Sequence, residues 1–149
     1  MIASGDGNID MVSELLEMGA KVDLMNINGC TALMCACFDG HIEIVQELLN
    51  HGADINLVDT AGASALYYAI DGNAIEVVKF LIDNGININE KDNYGWTPFV
   101  IAISGNGVDM AKLLVDAGCD IDMTYGNNKK LIDHDNINES TKEYLKSLE

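Results

Sequence analysis

The chain has no arginine, a single proline, a single tryptophan and no long apolar run. Eight lysines face 24 carboxylates, so the net charge is -16 at pH 7. Such a chain repels phosphate backbones and anionic bilayer surfaces, which sets nucleic acid and membrane aside as partners. The apolar stretches stay short, as in Ala65–Ile70 with its two tyrosines. None approaches the roughly 20 residues that cross a bilayer. The N-terminus lacks a basic region and turns polar by Ser4, so no secretory leader is expected. Cysteine is sparse. Cys30, Cys35, Cys37 and Cys119 show no C-x-x-C spacing, and residues two apart point to different faces of a helix. Reduced, buried thiols in a cytoplasmic protein are expected, rather than disulfides or a zinc site.

What remains is the composition of one globular domain: 149 residues, 48% of them apolar and 21% charged. Within it the chain repeats itself. Asn50–Asn56 reads N-H-G-A-D-I-N, and Glu17–Asp23, Asp83–Asn89 and Asp116–Asp122 answer it at a spacing of 33. Gly19, Gly52, Gly85 and Gly118 hold that period, as do Gly29, Gly62 and Gly95. Ala3, Ala36, Ala69 and Ala102 form another column, and Leu15, Leu48, Leu81 and Leu114 a further one. A fixed period of this length means stacked units, none of which buries its apolar face alone.

The columns have a local meaning. Thr31 is placed to cap a helix running to about Phe38, with Leu33, Ala36 and Cys37 on one face. Gly40 breaks the chain, and a second helix from about Ile42 to Asn50 carries Ile44, Val45, Leu48 and Leu49 along one stripe. Gly52 suits a left-handed C-terminal cap. The small alanines allow neighbouring first helices to approach closely. After Met123 the register decays: Asn128 replaces a glycine, and Leu131-Ile132 echo Pro98-Phe99. Ser140–Leu148 then reads as a last helix with Tyr144, Leu145 and Leu148 inward, and Ser140 and Glu143 have capping-box spacing.

These residues resemble the ankyrin repeat. Its pattern D-x-x-G-x-T-P-L-H-x-A stands as Asp92, Gly95, Thr97, Pro98, Phe99 and Ala102. The pattern G-H-x-E-I-V-x-x-L-L stands as Gly40, His41, Glu43, Ile44, Val45, Leu48 and Leu49, and G-A-D-I-N as Gly52 to Asn56. The usual proline is replaced by Ala32 and Ala65, and the usual histidine by Met34, Tyr67 and Val100. The resemblance implies an all-α solenoid of stacked helix–turn–helix units with turn or hairpin tips and a degenerate C-terminal cap. The expected division is a partial repeat at 1–23, full repeats at 24–56, 57–89 and 90–122, and a capping repeat at 123–149. It also implies that His41 bonds to backbone across repeats.

Several constellations imitate chemistry. Asp6, Asn8, Asp10 and Glu17 resemble a calcium loop, but Met11 stands where that loop needs glycine. Gly5-Asp6-Gly7 and Gly105-Asn106-Gly107 neither follow a strand nor precede a Lys-Ser/Thr pair. No nucleophile partner is placed by the repeat. The expectation is therefore a protein that is not an enzyme and carries neither cofactor nor metal.

By position, the resemblance places a partner protein on the concave face and the turn tips. The tip candidates are Ile27, Asn28, Thr60, Ala61, Asn93, Tyr94 and Trp96, and the first-helix ends give Asp6, Phe38, Asp39, Asp71 and Ser104. Trp96, at a position read as dispensable to the core, is either a binding hot spot or a brace over the adjacent turn. The acidic row Asp6, Asp39 and Asp71 either meets a basic partner or is solvated charge, because acids at helix C-termini gain nothing locally. The expected function is that of a monomeric cytoplasmic binding module. The alternative is a structural or targeting segment of a larger enzyme, channel or repeat array, which the truncated first unit favours.

Overall fold

The computed structural model describes residues 1–121, 124–125, 129–130 and 137–148. Helices come in pairs: α1 (Ile2–Gly5) with α2 (Ile9–Glu17), α3 (Ala32–Phe38) with α4 (Ile42–Asn50), and α5 (Ala65–Asp71) with α6 (Ile75–Asp83). In the next pair α7 (Pro98–Ile101) runs on into a π-helical turn, Ala102–Asn106, before α8 (Val108–Asp116). First helices stack in the order α1, α3, α5, α7, and second helices α2, α4, α6 stack beside them. Among the described residues no helix is long and apolar enough to cross a membrane.

Local chemistry starts each helix. Thr31, Ser64 and Thr97 occupy one column, and each side-chain oxygen accepts the backbone N–H three residues on, at 3.3, 3.5 and 3.3 Å. All three are buried, so an unmade cap would strand a polar group in the core. Pro98 sits in the first turn of α7, where its missing N–H has no helical acceptor to serve. The second helices carry Asp10, Glu43, Glu76 and Asp109 in their first turns, the favourable sign at that end of the helix dipole.

The core is the sum of the columns. Ala36, Ala69 and Ala102 are fully buried, as are Leu66, Phe99, Val45, Val78, Leu81 and Leu114. Stacking is tight enough to demand a glycine: a Cβ added at Gly72 would fall on the Phe38 carbonyl oxygen of the preceding unit. His41 bonds across units, its Nε2 standing 3.0 Å from the Gly5 carbonyl oxygen. At the other end of the pairs, the Asp54 N–H donates to Asp23 Oδ1 at 3.1 Å, and the Asp120 N–H to Asn89 Oδ1 at 2.8 Å.

The C-terminal region departs from the sequence expectation at the cap of its last helix. The last helix, α9 (Glu139–Ser147), is capped by Asn138, whose Oδ1 accepts the Thr141 N–H at 2.9 Å. The Ser140–Glu143 capping box is therefore displaced: Asn138 lies two residues earlier and takes the extended backbone that a cap needs. Leu145 is buried, with Tyr144 and Leu148 packed against the core, as the helical spacing implied. A short antiparallel ladder of β1 (Thr124–Tyr125) with β2 (Lys129–Lys130) stands 33 residues on from the tip at 92–96, a position where a turn or hairpin was expected. The expected register decay at Asn128 and Leu131-Ile132 lies outside the described residues.

Candidate functional site

The turn tips are built by one residue per unit. Asn26, Asp59 and Asp92 lie 33 apart, and each Oδ1 accepts two backbone N–H groups, those two and four residues ahead. The distances run from 2.8 to 3.0 Å. Glycines complete the bend: Gly29, Gly62 and Gly95 adopt φ of 78°, 82° and 82°, open to glycine without strain.

The tips then bond to one another. The Thr60 N–H and hydroxyl both donate to the Asn28 carbonyl at 3.0 Å. The Asn93 N–H donates to the Ala61 carbonyl at 2.9 Å, and its side-chain amide to the Thr60 carbonyl at 3.0 Å. Of the tip candidates, Asn28, Thr60, Ala61 and Asn93 are thus joined in one hydrogen-bonded row. The larger side chains stand clear of it: Ile27 is 97% exposed and Tyr94 70% exposed.

Trp96 does not stand at a position that the core can do without. Its ring is half-buried and packs against the core. Its column also contains Cys30, which is half-buried, and Ala63, which is buried, so this position faces inward. Reading it as dispensable to the core was mistaken, because a residue at the end of a turn points back at the helix that follows.

Below the tips runs a polar chain that sequence reasoning missed. The Tyr68 hydroxyl donates to Asp59 Oδ2 at 2.8 Å and lies 3.0 Å from Cys30 Sγ. With the phenolic proton committed to Asp59, the thiol donates to the phenol oxygen. Burial first, then these hydrogen bonds, push the Tyr68 phenol well above its ordinary range. Tyr67 is pushed up to about 12 by burial and then by the negative charge of Asp92. The signal that would have found this chain is the Asn26, Asp59, Asp92 column.

The cysteines form no disulfide; Cys37 and Cys119 are buried, whereas Cys30 and Cys35 are only half-buried. Burial raises the Cys37 thiol well above its usual range, and raises Cys119 to about 11 with Asp120 adding to the effect. Such thiols are protonated and weakly nucleophilic at neutral pH.

At the first-helix ends, three candidates come together. Asp6, Phe38 and Asp39 border a depression of about 630 Å³, together with Ile2, Cys35 and Tyr68. Asp6 and Asp39 are the C-cap residues of α1 and α3. Asp71 and Ser104 do not border the depression. Asp71 is the last residue of α5, one place earlier than its two companions, because Gly72 takes the C-cap position. The Ser104 hydroxyl oxygen is buried within the π-helical turn.

The tip turns, the paired helices and the capping threonines are the parts of one repeated unit, and comparison with known families agrees. The family described as ankyrin repeats (3 copies) matches residues 1–92 and again residues 58–125. No curated protein matches the sequence significantly. Ankyrin repeats are in general protein–protein interaction modules. On its stacked helix pairs and a match reaching from residue 1 to residue 125, the chain belongs to the ankyrin-repeat family.

Proposed function

We propose that the chain is a non-catalytic module that binds a partner protein through its concave face and turn tips. The units run 1–23, 24–56, 57–89 and 90–122, with 123–149 as the cap. The observation that supports this most is large apolar surface held at defined positions. Phe38 is 43% exposed beside the depression, and Tyr94 is exposed on a tip whose backbone Asp92 clamps. Rigid, exposed aromatics lose little entropy on binding and dominate interface energetics. The partner has a basic surface, to match a net charge of -16, and the module acts as a cytoplasmic monomer without a cofactor.

The test is affinity capture with the full chain, run beside a Phe38→Ala/Tyr94→Ala double variant, with captured proteins identified by mass spectrometry. A partner retained by the parent and lost by the variant, at unchanged melting temperature, is the expected result. Equal retention by both would sink the proposal. A second reading, a structural or targeting segment within a larger assembly, finds support in Met11 and Leu15. Both are exposed in columns that later units bury.

A further inference from the structure

We propose that the depression between α1 and α3 receives a short partner segment in which one bulky apolar side chain is flanked by lysine or arginine. This rests on the protein-binding reading and narrows it to one place and one chemistry. The walls are apolar: Ile2, Cys35, Phe38 and Tyr68 line a volume of about 630 Å³, within the range of pre-formed binding clefts. The charged side chains at its border, Asp6 and Asp39, are both anionic; the one cation there is the Met1 ammonium, which acts on Cys35, and no lysine or histidine lines the depression.

The aspartates are misplaced for folding. Each caps the C-terminus of its helix, the negative pole, and neither α1 nor α3 has a basic residue in its last turn. Carboxylate and helix end therefore repel in the unbound chain. A cation brought by a partner relieves both at once, while its neighbouring apolar side chain covers Phe38 and Ile2. The border is pre-organised. Asp39 Oδ2 lies only 3.3 Å from where a Cβ on Gly5 would sit, so this carboxylate rests against the end of α1. Tyr68 is held from behind by Asp59 and Cys30. An anionic segment would meet two carboxylates and is rejected. A purely basic segment would leave the apolar walls uncovered.

The test is panning of phage-displayed random dodecapeptides on the full chain, followed by fluorescence anisotropy of the enriched peptides. Enriched sequences should share a large apolar residue with Lys or Arg beside it. Phe38→Ala should weaken their binding at least tenfold. Asp6→Asn/Asp39→Asn should weaken it several-fold and flatten its salt dependence, with the melting temperature unchanged or higher. That last pairing, weaker binding at equal or greater stability, separates a receptor role from a folding role even if Phe38→Ala is itself destabilised. Enrichment of acidic or uncharged sequences would overturn the inference, as would no enrichment at all. Peptides indifferent to Phe38 and the two aspartates, but lost in Tyr94→Ala, would overturn this placement and leave tip binding standing. Peptides indifferent to all of these positions would remove both readings.

Discussion

The first helix pair and the two that follow carry the same apolar columns, yet solvent reaches them differently. Leu15 is 46% exposed, whereas Leu48 and Leu81 in the same column are 2% and 0% exposed. Met11 is exposed where Ile44, Val77 and Met110 are buried. Residue type is not what separates them. In a stack each unit is buried by its neighbours on both sides, so identical local chemistry yields burial in the interior and exposure at an end.

The sharpest way to break that comparison is to truncate the column at both places. Leu81→Ala should lower unfolding free energy by about 3–4 kcal/mol, since a fully buried leucine loses its transfer energy and leaves a cavity. Leu15→Ala should lower it by less than about 1 kcal/mol. Parallel urea titrations read both, and equal losses would show that burial in this stack is not position-dependent.

Next in size is a contrast between two glycines 33 apart. Gly72→Ala should destabilise by about 2 kcal/mol, because the new methyl meets the Phe38 carbonyl and the stack must open. Gly105→Ala finds nothing within 4 Å of its new Cβ and should be close to neutral. Thermal melts of the two variants decide it, and a similar fall in both would mean that local helix geometry, not stacking, selects the glycine.

A smaller effect is expected along the tips. Asn93→Ala removes the side-chain bond to the Thr60 carbonyl and should cost about 0.5–1 kcal/mol. Ile27→Ala, in the same column on the first tip, should leave stability unchanged. Amide exchange at the Asn93–Gly95 turn would report the loosening in the first variant and none in the second.

The last contrast is a pH dependence. The Tyr67 phenol is pushed from 10.0 in the unfolded chain up to about 12 in the fold, first by burial and then by Asp92. The protonated phenol is therefore the form that the fold favours. Its contribution is complete below pH 10 and is lost as pH rises from 10 toward 12. Tyr67→Phe should lose less stability than the parent between pH 9.5 and 12, measured by denaturant midpoints at each pH.

Much of this was legible before any coordinates. The helices α3 and α4 have the bounds that Thr31, Gly40 and Gly52 imply, because caps and left-handed glycines are local signals. His41 bonds across units as the repeat pattern implied. The rest was not legible, for a different reason at each place. The repeat pattern alone leaves Trp96 open between a hot spot and a brace at a position the core does not need, but the chain turns back there and its ring packs on the core. Ser140 has cap chemistry and correct spacing to Glu143, yet Asn138 offers a cap of equal quality two residues earlier. The Tyr68–Asp59–Cys30 chain joins residues 9 and 38 apart, which no local pattern connects.

By itself, then, the sequence determined the period, the helix pairs, the caps and the acidic character. All four depend on backbone preference and residue type within a few positions. Tertiary structure decided which copy of each column is buried, why Gly72 has no side chain, and that Asp6, Phe38 and Asp39 share one depression. Those depend on contacts between units 33 residues apart, where the neighbour rather than the residue sets the outcome.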